Sequence, residues 1–165
     1  MRHALIALGG NLGDVRAHFA HARTLLRERA GMVSTVSPCY RTPPLGPAGQ
    51  PDYLNAVLAL ETPLSAHGLL RLLLAIEREL GRIRPAPRWS ARTLDLDLLD
   101  WGRTIMRSRR LQLPHPRLHQ RMFVLQPLYD IAPDWIHPRL HLSARQLRES
   151  LLARGEPRLD EGMAW

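Results

Sequence analysis

The sequence contains no lysine, so all 23 of its permanently basic residues are arginine. Walker-type ATPases and protein kinases each place a lysine on the phosphates of their nucleotide, and the absence of lysine argues against both classes. Any permanently charged side chain that binds a phosphate here must be a guanidinium. Genome composition alone could also produce the arginine excess, but that would not restore the missing lysine.

Cysteine, aromatic residues and long apolar runs are also scarce. The single cysteine, Cys39, allows neither an intrachain disulfide nor a cysteine metal site. The apolar run at residues 4–8 is too short for the core of a signal peptide, and no stretch approaches the length of a membrane span. We therefore expect a cytoplasmic protein with no membrane partner.

The length and composition are those of a folded protein of one domain. Among 165 residues, 45% are hydrophobic and 23% are charged, which favours a single core over residues 1–165. We also expect the chain to act as a monomer. Its formal net charge of +8 favours binding of phosphates, nucleic acids or anionic membranes, without choosing among them.

Hydrophobic periodicity predicts an alternation of strands and helices. Strands are predicted at residues 4–8, 32–40, 53–61 and 94–99, and helices at residues 15–29, 65–80, 122–129 and 144–152. The order β-α-β-β-α-β with additional C-terminal elements indicates an α+β fold. We expect a ferredoxin-like sandwich, with helices packed on a mixed, largely antiparallel sheet.

The predicted strand at 94–99 carries two aspartates. A period of two places Asp95 and Asp97 on one face and the intervening leucines on the other. Carboxylates about 7 Å apart repel each other unless solvent or a cation lies between them, and such oxygen ligands suit Mg²⁺ that also binds phosphates. An ordinary half-exposed strand is the alternative, and for this pattern alone it is the better one.

Four arginines precede the two aspartates, within a segment that prolines interrupt. They are Arg82, Arg84, Arg88 and Arg92. Guanidiniums beside carboxylates match a metal-bound polyphosphate, which strengthens the magnesium interpretation. Ion pairing between the arginines and the aspartates is the competing explanation.

Four segments resemble the sequence motifs of one enzyme family. They read RWSARTLDLD at 88–97, YRTPPLGP at 40–47, QPDYLNA at 50–56 and LPHP at 113–116. In these segments the chain resembles the 6-hydroxymethyl-7,8-dihydropterin pyrophosphokinases of folate biosynthesis. The resemblance implies transfer of pyrophosphate from ATP to the hydroxymethyl group of the dihydropterin, with release of AMP.

The same resemblance implies roles for individual residues. Asp95 and Asp97 would coordinate two Mg²⁺ ions, with ATP as co-substrate, and Arg82 and Arg92 would be catalytic. The nucleotide would contact Arg84, Arg88, Trp89, Leu98, Arg110, His115 and Arg121. The pterin would contact Thr42, Pro44, Leu45, Tyr53, Asn55, Trp89 and Phe123. Residues 82–92 would form a lid, and the Asn55 amide can both donate to and accept from a pterin edge.

Three positions depart from the family pattern, at Gly10, Leu74 and Pro116, where the family commonly has a serine, a polar residue and an aromatic residue. These departures leave the metal and pterin positions intact but affect expected nucleotide contacts. Glu77 matches a family acid, yet its place on a leucine-rich helix favours pairing with an arginine over binding a metal.

Two other functions remain open at this point. The positive charge and the fold class also suit an RNA- or DNA-binding module, although aromatic residues make up only 5% of the chain and stacking platforms for bases are scarce. We therefore expect no nucleic-acid partner. A metal-dependent nucleotidyltransferase or nuclease could use the same aspartates, and it would release pyrophosphate or cleaved nucleic acid instead of a pterin diphosphate.

Overall fold

The computed structural model describes residues 1–165. It contains seven strands, four α-helices and one short 3-10 helix. The strands are β1 Arg2–Gly10, β2 Met32–Val36, β3 Tyr40–Thr42, β4 Tyr53–Thr62, β5 Asp95–Trp101, β6 Met106–Arg107 and β7 Gln112–Leu113. The α-helices are α1 Val15–Arg29, α2 Ala66–Glu79, α3 Met122–Ile131 and α4 Ala144–Ala153, and the 3-10 helix is Leu118–Gln120.

The main sheet has the strand order β2-β4-β1-β5, with β3 also paired to β4. Every pairing is antiparallel, and β6 and β7 form a separate small hairpin. Buried side chains of α1 and α2 join one face of the sheet, and those of α3 and α4 join the other. This arrangement confirms the predicted α+β class with helices packed on the sheet, and the sheet, expected to be mixed and largely antiparallel, is antiparallel throughout.

Alternation along β1 explains how one strand supplies both cores. Ile6 and Leu8 pack with α1 and α2, whereas Leu5 packs with α3 and α4. Each buried aliphatic side chain contributes about 1.5–3 kcal/mol relative to exposure, so the central strands are held from both sides. The ends of β1 and β5 nearest Gly9 and Asp95, which pair with each other, therefore lie on a rigid support for the loops above them.

Local polar contacts set the helix starts. Asp14 accepts the Ala17 N–H at 3.0 Å at the start of α1, and Ser65 accepts the Gly68 N–H at 3.1 Å at the start of α2. Such caps satisfy donors that have no partner within the helix.

None of the helices combines the length and the apolar character needed to cross a membrane.

The strand predicted at 32–40 is divided in the structure. β2 ends at Val36, and β3 begins at Tyr40. The break contains Pro38, which has no N–H for a sheet ladder, and Ser37, whose hydroxyl accepts the Val57 N–H at 2.9 Å. The prediction of one continuous strand was therefore wrong.

Candidate active site

The two aspartates of β5 share one face of the strand, as predicted. Both are half-buried, and Leu94, Leu96 and Leu98 are buried in the core on the other side. Burial raises the pKa of Asp97 to about 7, and the negative charges of Asp95 and Glu77 add to this effect. The strand thus presents two closely spaced carboxylates, and burial together with neighbouring negative charge disfavours the ionised form of Asp97.

Asp95 is neutralised by two arginines. Arg82 forms an ion pair with its Oδ1, and Nη1 of Arg92 lies 2.9 Å from its Oδ2. Burial acts to raise the pKa of Asp95, but the Arg82 and Arg92 guanidiniums outweigh it and hold that pKa below its usual value. The structure therefore contains the ion pairs that were the competing explanation for these arginines, beside the carboxylate proposed as a metal ligand.

Glu77 of α2 contacts both β5 and the arginines beside Asp95. It is 1% exposed, and its Oε1 accepts the backbone N–H of Leu96 at 2.7 Å. Its carboxylate also lies 3.2 Å from Nη1 of Arg82 and 3.0 Å from Nη2 of Arg84. The expected pairing of Glu77 with arginine is confirmed, and burial raises the pKa of this carboxyl despite the Leu96 N–H.

Two clefts flank the aspartates. The larger one, ≈ 940 Å³, is lined by Leu12, residues 81–93, Arg117 and Arg121. The smaller one, ≈ 360 Å³, is lined by Asp97, Glu77 and apolar and basic residues around them. Of the predicted nucleotide residues, Arg88, Trp89 and Arg121 line the larger cleft, Leu98, Arg110 and His115 line the smaller one, and Arg84 lines both.

His115 is held as a neutral imidazole. Burial lowers its pKa to about 4, and the Arg121 charge acts in the same direction. Its Nδ1 accepts the Arg117 N–H at 3.2 Å, so the ring proton is on Nε2. The predicted phosphate contact therefore has one defined donor, the Nε2–H.

The predicted pterin residues come mainly from two paired strands and their loop. Asn55 of β4 is 7% exposed, and its Nδ2 donates to Thr42 Oγ1 at 2.8 Å and to the Tyr40 carbonyl at 3.4 Å. Antiparallel pairing places Thr42 opposite Tyr53, whose hydroxyl donates to the Ser90 carbonyl at 3.2 Å. This last contact joins the pterin side to the 81–93 segment.

The remaining pterin residues lie around these strands. Pro44 is half-buried, and Leu45 in the same loop is 65% exposed. Phe123 is in the first turn of α3, where the Arg121 guanidinium lies 5.5 Å from its ring centroid. Trp89 similarly lies under the guanidinium of Arg88, at 5.0 Å. Guanidinium stacking thus links two predicted pterin residues to two predicted nucleotide residues.

Gly10, the first departure from the family pattern, has a packing role. A Cβ at this position would lie 2.6 Å from the carbonyl oxygen of Thr93 and 3.2 Å from Cγ1 of Val15. The glycine therefore permits a close approach of β1 to the end of the arginine-rich segment. Leu74 and Pro116, by contrast, do line the smaller cleft.

Sequence reasoning missed two polar residues of the site, Asn11 and Gln50. Asn11 is 4% exposed and contacts both Gln50 and the backbone of Arg92. The only sequence signals were the glycine-rich turn that precedes Asn11 and the position of Gln50 in the 50–56 motif. Neither signal predicts that the two side chains meet, because they lie on different loops.

The α+β fold, with paired carboxylates and guanidiniums beside two clefts, is that of a phosphoryl-transfer enzyme. Residues 5–133 match the family model described as 7,8-dihydro-6-hydroxymethylpterin-pyrophosphokinase, and the chain belongs to this family. It is thus an ATP-dependent diphosphotransferase of folate biosynthesis, which transfers pyrophosphate from ATP to the hydroxymethyl group of the dihydropterin.

Curated relatives support this membership. A 2-amino-4-hydroxy-6-hydroxymethyldihydropteridine pyrophosphokinase of Synechocystis is 44% identical over 149 residues, which cover 90% of this chain and 75% of the relative. The enzyme of the same name from Haemophilus influenzae is 42% identical over 147 residues, covering 88% and 91% of the two chains. A folic acid synthesis protein of Schizosaccharomyces pombe is 35% identical over 153 residues, although only 21% of that longer chain is covered.

A solved structure supports the fold. The Plasmodium falciparum HPPK-DHPS with pteroate aligns with a TM-score of 0.79 and 12% identity, over 98% of this chain and 47% of that chain. This chain therefore spans less than half the length of that protein. At such low identity the likeness shows the fold alone.

Proposed function

We propose that this chain, as a single-domain monomer over residues 1–165, uses Asp95 and Asp97 to hold two Mg²⁺ ions with ATP during pyrophosphoryl transfer. The observation that carries the proposal is the arrangement at β5. Two carboxylates share one face of the strand, and the guanidiniums of Arg82 and Arg92 are directed at one of them. This combination suits a polyphosphate whose charge is shared between cations and arginines.

The carboxylate pair fits Mg²⁺ in its chemistry. No cluster of three or more histidine, cysteine, aspartate or glutamate side chains forms a larger ligand set. Mg²⁺ commonly takes one or two carboxylates and fills its other positions with phosphate oxygens and water. Asp97 makes no ion pair, unlike Asp95, so its oxygens are free for such a ligand. When bound, Mg²⁺ would neutralise phosphate charge and polarise the phosphoryl oxygens.

Arg82 and Arg92 would change partners on substrate binding. Both guanidiniums already lie beside Asp95, within reach of any polyphosphate held against that carboxylate. The substrate hydroxyl attacks the β-phosphorus, the bond to the α,β-bridging oxygen breaks, and AMP leaves with that oxygen. The two arginines would stabilise charge on the transferring group, and the Nε2–H of His115 would donate to a phosphate oxygen.

The pterin would be recognised chiefly by Asn55. Its Nδ2 is held by Thr42 and Tyr40, while its Oδ1 makes no hydrogen bond within the protein. The free Oδ1 can accept an N–H from the edge of the heterocycle. Recognition by a buried, oriented amide favours a ring with a complementary donor over one without it.

Product analysis tests the proposal. The purified chain is incubated with ATP, Mg²⁺ and 6-hydroxymethyl-7,8-dihydropterin, and the products are separated by chromatography and mass spectrometry. We expect AMP and the dihydropterin diphosphate in equal amounts, with no turnover in EDTA and none for Asp97→Ala. Free pyrophosphate would instead identify nucleotidyl transfer, and metal-independent turnover would contradict the role of the aspartates.

A further inference from the structure

Asn11 is buried where three separate segments meet, immediately after β1. Its Oδ1 accepts the Arg92 N–H at 2.9 Å, and its own N–H donates to the Arg92 carbonyl at 2.9 Å. Its Nδ2 donates to the Pro51 carbonyl at 3.1 Å and to Gln50 Oε1 at 3.3 Å. One carboxamide therefore bonds to the backbone of a catalytic arginine and to the loop before β4.

Gln50 extends this chain of contacts from Asn11 to Trp89. Its Nε2 donates to the Trp89 carbonyl at 2.8 Å. A Cβ on Gly46 would lie 2.6 Å from the same carbonyl and 2.8 Å from the Trp89 Cβ, so the two loops are in direct backbone contact. The loop of residues 43–52, here named the pterin loop, thus packs on the arginine-rich loop of residues 81–93, here named the lid loop.

The backbone of Trp89 gives independent support for this contact. Its φ is 64°, in the left-handed region that residues other than glycine rarely adopt. Such a conformation persists only where the surroundings hold it. The Gln50 hydrogen bond and the Gly46 contact, which both fall on Trp89, are the interactions from the pterin loop that hold it.

We propose that Asn11 is a positioning residue that, with Gln50, couples order in the pterin loop to the position of Arg92 in the lid loop. The inference rests on the proposed function. An amide serves because its Oδ1 accepts from Arg92 while its Nδ2 donates to the pterin loop, whereas a carboxylate would leave the Pro51 carbonyl without a donor. A pterin bound against residues 43–52 would thereby hold Arg92 in the geometry needed for transfer.

Three variants test separately the contact of Asn11 with Arg92 and the contacts that run through the pterin loop. Asn11→Asp keeps the acceptor for the Arg92 N–H and loses the donor to the pterin loop, Asn11→Ala loses both, and Gln50→Ala removes the link to Trp89. Thr62→Val is the matched control. Thr62 is also fully buried and hydrogen-bonded, to the Ala30 carbonyl at 2.6 Å, but it lies at the opposite end of the sheet.

We expect Asn11→Ala and Gln50→Ala each to lower kcat by at least about tenfold, with less than about threefold change in the affinity for MgATP alone. Asn11→Asp should fall between wild type and Asn11→Ala. The double variant should lose little more than either single variant, because both substitutions break one chain of contacts. Thr62→Val should lower thermal stability without changing kcat.

The outcomes also separate this inference from the proposed function. Wild-type enzyme that forms no dihydropterin diphosphate would defeat the proposed function itself. Wild-type turnover together with an unchanged kcat in Asn11→Ala, or with fully multiplicative losses in the double variant, would overturn the coupling alone. A parallel loss of kcat and MgATP affinity would show that Asn11 only stabilises the nucleotide side, which also overturns it.

Discussion

Arg92 and Asp95 form an ion pair, with Nη1 of the arginine 2.9 Å from Oδ2 of the aspartate. The residue proposed to stabilise the transferring phosphate is thus paired with a residue proposed to hold the metal. Each would otherwise leave a charge in a half-buried site, which costs free energy. Mutual neutralisation therefore allows the site to exist before its substrates bind.

Substitution of either aspartate should abolish turnover, but the two substitutions should change the free energy of unfolding differently. We expect Asp95→Ala and Asp97→Ala each nearly to abolish turnover. Without metal, Asp97→Asn should leave the free energy of unfolding unchanged or raise it by about 1 kcal/mol, because it removes a buried carboxylate near Asp95 and Glu77. Asp95→Asn should lower it by about 1–3 kcal/mol, because Arg82 and Arg92 lose their partner. Urea unfolding in EDTA measures both values, and equal losses would contradict this distinction.

Asn55→Ala should weaken pterin binding selectively. The substitution removes the free Oδ1 acceptor and the buried contacts of Nδ2 with Thr42 and Tyr40, at a cost of about 1–3 kcal/mol in pterin binding. Binding of ATP should change little, because the predicted nucleotide residues line the two clefts and Asn55 lines neither. Calorimetry with each ligand separately tests this, and Thr42→Val is a comparison variant that removes one of the two partners of Nδ2 and leaves Oδ1 in place. Equal losses for the two ligands would assign Asn55 to folding instead of recognition.

The predictability of the site depended on how far apart its residues lie in sequence. Alternation within one strand predicted that Asp95 and Asp97 share a face, since only local geometry was needed. Contacts such as Asn11 with Gln50 depend on how loops meet after folding, which periodicity does not describe. The resemblance to a known family supplied candidate residues such as Arg121 and Phe123, but not their stacking on each other.

At Asp100 a register shift between β1 and β5 makes strict alternation predict the wrong face of the strand. Strict alternation from Asp95 would direct Asp100 toward the leucine side of β5. The register shifts opposite Leu5 and Ile6, so Asp100 pairs with Leu5, and its Oδ2 accepts the Trp135 Nε1–H at 3.2 Å. A bulge turns the following side chains onto the other face, and nothing in the local sequence marks its position.

His137 should make stability fall in mild acid. It is 4% exposed, and its Nδ1 accepts the N–H groups of Arg139 and Leu140 at 3.2 Å each. Burial lowers its pKa to about 4, with His119 and Arg139 adding to the effect. The unfolded chain binds a proton near pH 6.5 and the folded chain does not, so this contribution is full above pH 6.5 and is lost toward pH 4.

The expected loss is on the order of 2 kcal/mol in the free energy of unfolding between pH 7 and pH 4.5. His137→Asn retains an acceptor for the two N–H groups but cannot titrate, so its pH dependence should be flatter in this range. Chemical denaturation at a series of pH values compares the two proteins. Parallel stability curves for both would show that His137 does not contribute to the acid sensitivity.

Arg82 and Arg92 should act mainly on the chemical step. Alanine at either position should lower kcat more than the affinity for MgATP, because stabilisation confined to the transition state raises kcat, whereas uniform binding lowers KM. Arg82→Ala also leaves Glu77 with Arg84 and the Leu96 N–H as its partners, so it should cost more stability than Arg92→Ala.

Lysine should restore activity only in part at these two positions. It returns the positive charge, but it lacks the planar fork that pairs two oxygens at once. Arg92 uses that fork in the structure, with Nη1 on Asp95 and both Nε and Nη2 on the Ser90 carbonyl. Single-turnover measurements with saturating ATP and pterin isolate the chemical step, and Arg29→Ala, which breaks an exposed ion pair with Glu79 away from both clefts, is the control. An unchanged chemical step in Arg82→Ala or Arg92→Ala, with only weaker ATP binding, would make that arginine a simple phosphate anchor.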